Sequence, residues 1–213
     1  MKPVLSILFL TLMQCVSIAQ TLHYDVIKGD KNIGAMTITR NVTGNVEEIS
    51  FESHVSFRVL VTLNLDYTQY EKFVDGHLNW GKALSVLSGR TQKDSRVVAN
   101  EAGYRLTIDG VSAQLNKEIS YSVSQIYFTE PPDGQLVFSQ QFGQFFRFEE
   151  IGEHEYRMIS PDGNNYYTYT NGICTEVQVD RDFANFSFVI QPASMEAVEQ
   201  QADSLYVRAR IPD

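Results

Sequence analysis

Two stretches of this chain place a histidine among groups that could share its proton or a metal ion. In Glu149-Glu150-Ile151-Gly152-Glu153-His154-Glu155 an imidazole sits among carboxylates, which raise its pKa or complete a coordination sphere. One histidine with carboxylates of mixed facing does not define such a sphere, and the same residues read as a solvated turn between two strands. In the second stretch Glu52 and His54 lie two apart, with Ser50, Ser56 and Arg58 on the same parity, so in a strand they line one polar strip. The solvated face of an antiparallel sheet has the same pattern. The spacings Gly-x-Ser-x-Gly, Gly-x-x-x-x-Gly-Lys-Ser/Thr, His-Glu-x-x-His and paired Cys-x-x-Cys are absent. No catalytic residue, metal ligand or cofactor is therefore assigned, and a hydrolase or metal-dependent enzyme using His154 or His54 is the most distant functional alternative.

The element that carries the polar strip is the most informative stretch of the chain. From Ile49 to Tyr67 the odd positions are apolar apart from Ser53, and the even positions are polar apart from Leu60. That period of two belongs to a strand with one buried face. The run exceeds an ordinary strand, so it predicts one long bent strand or two joined at a bulge near Phe57 and Arg58. Further strands precede and follow it, separated by turn residues such as Gly29-Asp30, Asp75-Gly76 and Pro161-Asp162-Gly163-Asn164. In His77 to Leu87 the residues Leu78, Trp80, Lys82, Leu84 and Val86 share a parity, and the strand is expected to pack its centre and expose one end. Val123, Ile126 and Tyr127 behind Ser122 fall at helical spacing and predict one or two turns. After Pro192, Met195, Val198, Ala202 and Leu205 mark an amphipathic C-terminal helix across the open face or one end of the sheet.

The fold class expected is all-β: a large curved antiparallel sheet, an open or half barrel, with one short internal helix and a C-terminal helix. A sheet that curls around one layer of side chains and is covered by a helix tends to enclose space. The candidate pocket is accordingly drawn from the organising strand (Val55, Phe57, Val59, Val61, Leu63), the later aromatic clusters (Phe146, Phe148, Phe186, Phe188) and the helix (Met195, Val198). The same residues would form a solid core.

Composition and termini set the compartment and the partners. Met1-Lys2-Pro3, the apolar run from Val4 to about Met13 and the small residues Ser17 and Ala19 read as a signal peptide over 1–19, leaving residues 20–213 as a single β-rich domain. The protein is expected to be exported, periplasmic or extracellular, and soluble rather than membrane-spanning. Cys174 is then the sole cysteine; it is expected on a strand face with Glu176 and Gln178, as an inert thiol. A net charge of -9 with dispersed Lys and Arg argues against nucleic acid as a partner.

Ordered local patterns add a resemblance. Tyr24-Asp25-Val26 with Ile33-Gly34, Tyr127-Phe128 before Glu130-Pro131, and Pro161-Asp162-Gly163 leading into Tyr167-x-Tyr169-x-x-Gly172 resemble those of a family of uncharacterised exported bacterial β-proteins, a domain of unknown function. The resemblance spans most of the mature chain and supplies no catalytic residue. It implies a strand pattern similar to open-barrel carriers of lipids and lipoproteins. The function expected is a non-catalytic binding protein for an apolar or amphipathic ligand, an apolar small molecule or lipid, in the cell envelope. The alternative is a structural or protein-interaction module with an envelope protein as partner.

Overall fold

The computed structural model describes residues 17–58, 61–181 and 185–209, with side chains described through residue 201. Period-two alternation becomes fourteen strands. These are β1 (Ser17–Lys28), β2 (Lys31–Thr43), β3 (Val46–Arg58), β4 (Thr62–Val74), β5 (His77–Leu87), β6 (Arg90–Asn100), β7 (Gly103–Ile108), β8 (Val111–Leu115), β9 (Leu136–Ser139), β10 (Gln144–Gly152), β11 (Glu155–Ser160), β12 (Gly163–Thr170), β13 (Ile173–Asp180) and β14 (Phe186–Ile190). They form one antiparallel sheet in the order β8-β7-β6-β5-β4-β3-β2-β1-β14-β13-β12-β11-β10-β9, with β8 and β9 as its two edges. Tight turns join most neighbours. At Asp75-Gly76 both residues have positive φ, 52° and 78°, the geometry that matches the twist of flanking strands.

The organising stretch is a hairpin, which corrects the expected bulge near Phe57 and Arg58. Phe57 pairs with Leu63, Val55 with Leu65 and Ser53 with Tyr67 across the turn. Each pair joins two odd-numbered residues, so a hairpin folded about residue 60 keeps the odd set on one face, and the alternation passes through the turn unbroken. Val59 and Leu60 lie outside the described residues.

A second correction concerns β5. Across the β4–β5 pair, Lys72 faces Trp80 while Phe73 faces Leu78, and Asn79 is the extra residue of a bulge. The bulge reverses parity after Leu78, so Gly81, Ala83 and Ser85 are buried while Trp80 faces outward. The expected inward row of Trp80, Leu84 and Val86 is therefore the outer one. A bulge opposite Thr168 and Tyr169 does the same on β13: Cys174 turns inward with Val177 and Val179, away from Glu176.

The concave face is filled by the chain itself. The segment Asn116–Gly143 carries a 3₁₀ turn, Gln125–Tyr127, where sequence spacing predicted one or two helical turns. Ile119, Ile126, Val137 and Phe138 within it are fully buried. It touches widely separated parts of the sheet. Leu78 N–H donates to Ile119 O at 2.8 Å, Ser95 Oγ–H to Gln140 O at 2.7 Å, and Tyr169 O–H to Ile126 O at 3.0 Å. Tyr127 packs edge-on against Tyr24 at 5.8 Å and Phe51 at 5.7 Å. One segment can bond to β5, β6 and β12 together only if the sheet curls around it.

The helix α1 (Pro192–Ala209) takes over where β14 ends. β14 pairs with β1 only as far as Tyr24, and beyond that Gln191 N–H donates to His23 O at 2.8 Å while His23 N–H donates to Ser194 Oγ at 2.9 Å. α1 thus runs along the exposed edge of β1, with Met195 and Val198 half-buried against the core. The side chain of Leu205 lies outside the described residues. No helix of the described residues is long and apolar enough to cross a membrane.

Candidate functional site

The strand register decides which sequence-predicted pocket residues share a place. Phe188 pairs with Val26, Val26 with Gly34, Gly34 with Val55 and Val55 with Leu65, making one inward-facing rung. Cross-strand partners present their side chains to the same face. Phe186, Phe57 and Leu63 lie one rung further out, toward the end of the sheet marked by the 29–30 turn. Val55 is buried, whereas Phe57, Leu63, Leu65, Phe186 and Phe188 are only half-buried. Phe186 and Phe188 meet edge to face at 5.5 Å. The Lys28 ammonium lies 5.9 Å from the centre of the Phe57 ring. Gly34 lets the rung close: a Cβ there would lie 2.1 Å from His54 O.

The other candidates lie elsewhere. Phe148 is fully buried, stacked on Tyr156 at 5.2 Å, and belongs to the core. Phe146 is half-buried beside Phe142, with ring centroids 5.6 Å apart. Met195 and Val198 belong to the helix against β1. Val61 is 64% exposed in the turn, so it is off the apolar face. Val59 is outside the described residues.

Sequence reading missed the buried polar centre, although parity points to it. Continuing the odd positions through β4 gives Leu63, Leu65, Tyr67, Gln69, Glu71 and Phe73, which puts Glu71 on the inner face, where it is fully buried. The hydroxyls of Ser122 and Ser124 both donate to Glu71 Oε2, that of Ser122 at 2.6 Å. Gly81 clears room beside it for the Gln140 side chain: a Cβ on Gly81 would fall 2.4 Å from Gln140 Oε1 and 3.3 Å from Glu71 Cγ. Among the described residues Glu71 Oε1 and the Gln140 amide atoms have no hydrogen-bond partner. Burial pushes the Glu71 carboxyl up to about 7, against the lowering effect of the hydrogen bonds from Ser122, Ser124 and Gln69. Nearby, Glu47 accepts from Arg40 Nε at 2.5 Å and Gln125 Nε2 at 2.8 Å. A carboxyl titrating near neutrality can move a proton. Here Ser122, Ser124 and Gln140 bury it completely, so it fastens the inner segment to β4 with no opening toward a substrate.

The histidines form separate exposed pairs. His54 Nδ1 lies 2.5 Å from Asp66 Oδ1 on the outer face of the β3–β4 hairpin. His154, at φ 61° in the β10–β11 turn, meets Glu130 at 2.9 Å, and the Tyr156 hydroxyl donates to the same carboxylate at 2.9 Å. The hydrogen bond to Glu130 raises the His154 pKa. Glu130 comes from the inner segment, outside the 149–155 run. Among the described residues no three His, Cys, Asp or Glu side chains are grouped to hold a metal. The Cys174 thiol is fully buried, and burial raises its pKa far above the ordinary range.

Taken together, the fold and this layout define an open, barrel-like all-β protein with its concave face filled by its own chain. A family model described as "Domain of unknown function (DUF6134)" matches residues 24–191, and the chain belongs to that family. No curated protein matches the chain in sequence. Among solved structures, the chain is similar to a "beta-barrel-like protein of domain of unknown function DUF1849" from Brucella abortus, with 8% identity and a TM-score of 0.51. The match covers 82% of this chain and 96% of that one, a likeness of fold alone.

Proposed function

We propose that this protein is an exported, non-catalytic binding protein of the cell envelope whose apolar end receives an amphipathic ligand. The observation that carries the reading is the half-buried inner-face group Phe57, Leu63, Leu65, Phe186 and Phe188. Among the described residues, Phe57, Leu63 and Leu65 stand apart from the contiguous core that the inner segment completes. Half-exposed apolar side chains gathered at one end of a curled sheet suit a ligand's hydrocarbon part. Lys28, over the Phe57 ring, suits an anionic head such as a carboxylate. The filled interior limits such a ligand to the rim.

Native mass spectrometry of protein purified without detergent, with titration of a fluorescent fatty acid, tests this reading. Binding below about 10 μM that weakens in Phe57→Ala and Lys28→Ala supports it. Absence of any co-purifying species, with no probe binding in that range, overturns it. The second reading, a structural or protein-interaction module, is favoured by the edge strand β8, where Val111 is 72% exposed and the outer backbone row has no strand partner among the described residues.

A further inference from the structure

The outer face of the sheet carries an aromatic and basic surface that the apolar end does not use. The bulge at Lys72 and Phe73 turns Trp80, the chain's single tryptophan, away from the core. Trp80 stacks on Tyr70 with ring centroids 4.8 Å apart and planes at 26°. The Tyr70 hydroxyl is hydrogen-bonded to Glu48, which also accepts from Lys72 Nζ at 3.1 Å, so the aromatic pair is held in one orientation. On the same face Trp80 pairs across the sheet with Val98 and Val98 with Arg105, while Tyr70 pairs with Lys82 and Lys82 with Arg96. Lys82, Arg96 and Arg105 are exposed and form no salt bridge among the described residues. In a chain of net charge -9, three free cations gathered on two adjacent rungs are a local reversal of sign.

We propose that this face of β4 to β7 binds an anionic glycan, a sugar ring stacking on Trp80 and the acidic groups of neighbouring sugars meeting Lys82, Arg96 and Arg105. Sugar rings present C–H faces that pack on an indole, and a guanidinium pairs bidentately with a carboxylate. Cations on neighbouring strands are spaced about 4.8 Å apart per strand, which suits an extended chain crossing the sheet. The half-buried rings lie within the surface, and among the described residues Val98 is the one exposed apolar side chain beside them, so they offer little to insert into a bilayer. Three cations in an acidic protein fit a charge on occasional sugars better than a phosphate on every nucleotide.

Affinity electrophoresis of the full chain through gels containing polygalacturonate or neutral dextran, paired with titration of Trp80 fluorescence, tests the proposal. Retardation by polygalacturonate alone, with a change in tryptophan emission, is expected. Trp80→Ala should weaken binding at least tenfold, and so should Lys82→Glu combined with Arg96→Glu; the latter substitutions are exposed and keep the test intact if Trp80→Ala fails to fold. Thermal melts serve as the folding control. Equal retardation of wild type and folded variants, no retardation at all, or tighter binding to anionic phospholipid vesicles or single-stranded oligonucleotide would overturn it.

Discussion

The buried Glu71 carboxyl makes the stability of the fold depend on pH in a direction opposite to that of a salt-bridged acid. Its pKa is raised from 4.5 to about 7 because folding removes it from water. Below pH 4.5 the carboxyl is protonated in both states and contributes no penalty. Between 4.5 and 7 the unfolded chain ionises first, so stability falls as pH rises, and above about 7 the loss is complete. Raising the carboxyl from 4.5 to about 7 costs the ionised fold roughly 3–4 kcal/mol, a large part of a typical domain's 5–15 kcal/mol. Glu71→Gln keeps the shape and an acceptor for Ser122 and Ser124, adds a donor facing the Gln140 amide, and removes the ionisation.

The assay is urea unfolding of wild type and Glu71→Gln from pH 4 to 8.5. Other carboxylates titrate over this range in both proteins, so the difference between the two isolates Glu71. The variant should match wild type within about 1 kcal/mol at pH 4.5 and exceed it by about 2–3 kcal/mol at pH 8. A flat difference would mean that Glu71 keeps an ordinary pKa through solvent the packing admits. A variant markedly less stable at pH 8 would mean that the charged hydrogen bonds outweigh the burial.

Three further outcomes follow from the same geometry. Val55→Asp puts an unpaired carboxylate on the buried rung and should cost several kcal/mol in chemical denaturation, whereas Thr68→Asp on the exposed face of β4 should change stability by about 0.5 kcal/mol or less. Cys174 should resist a soluble disulfide reagent in the native protein and react once denaturant is added; rapid native labelling would contradict its burial. The His154 imidazole, titrated by NMR, should lose its proton above its ordinary pKa near 6.5, and Glu130→Gln should bring the titration back down.

The architecture was legible because alternation is a local signal: each residue's neighbours two positions away reveal its face. The same property hid the Phe57–Leu63 hairpin, since a turn centred on residue 60 conserves parity, and period alone cannot separate one strand from two. Trp80 and Cys174 were misplaced for the complementary reason. A bulge inserts one residue, shifts every later side chain to the other face, and is visible only in pairing with a neighbour strand. Glu71 is legible in the sequence, because the parity that places Phe51 and Val55 inside also reaches residue 71. What parity could not supply was its neighbours, Ser122, Ser124 and Gln140, which arrive from a segment distant in sequence that the alternation of β4 does not reach.

The inner segment also changes how the concave face is read. From the sequence, a curled sheet with only two short helical elements tends to enclose space, and the same inward residues would equally form a solid core. Asn116–Gly143 fills the concave face, as irregular chain leading into and out of the short edge strand β9, and Ser122, Ser124 and Gln125 from the segment hydrogen-bond Glu47 and Glu71 from the wall. Irregular backbone can sit inside a protein only when the wall supplies such partners. The carboxylates on the inner face thus each have a structural task, holding the segment through Ser122, Ser124 and Gln125. The side chains left without an internal task are those at the rim, Phe57 and Leu63 beside Lys28, and those on the outer face, Trp80 with Lys82, Arg96 and Arg105. Binding at the rim and across the outer sheet would leave the core undisturbed, so the two surfaces can be mutated independently of each other, with a thermal melt as the folding control for their half-buried rings.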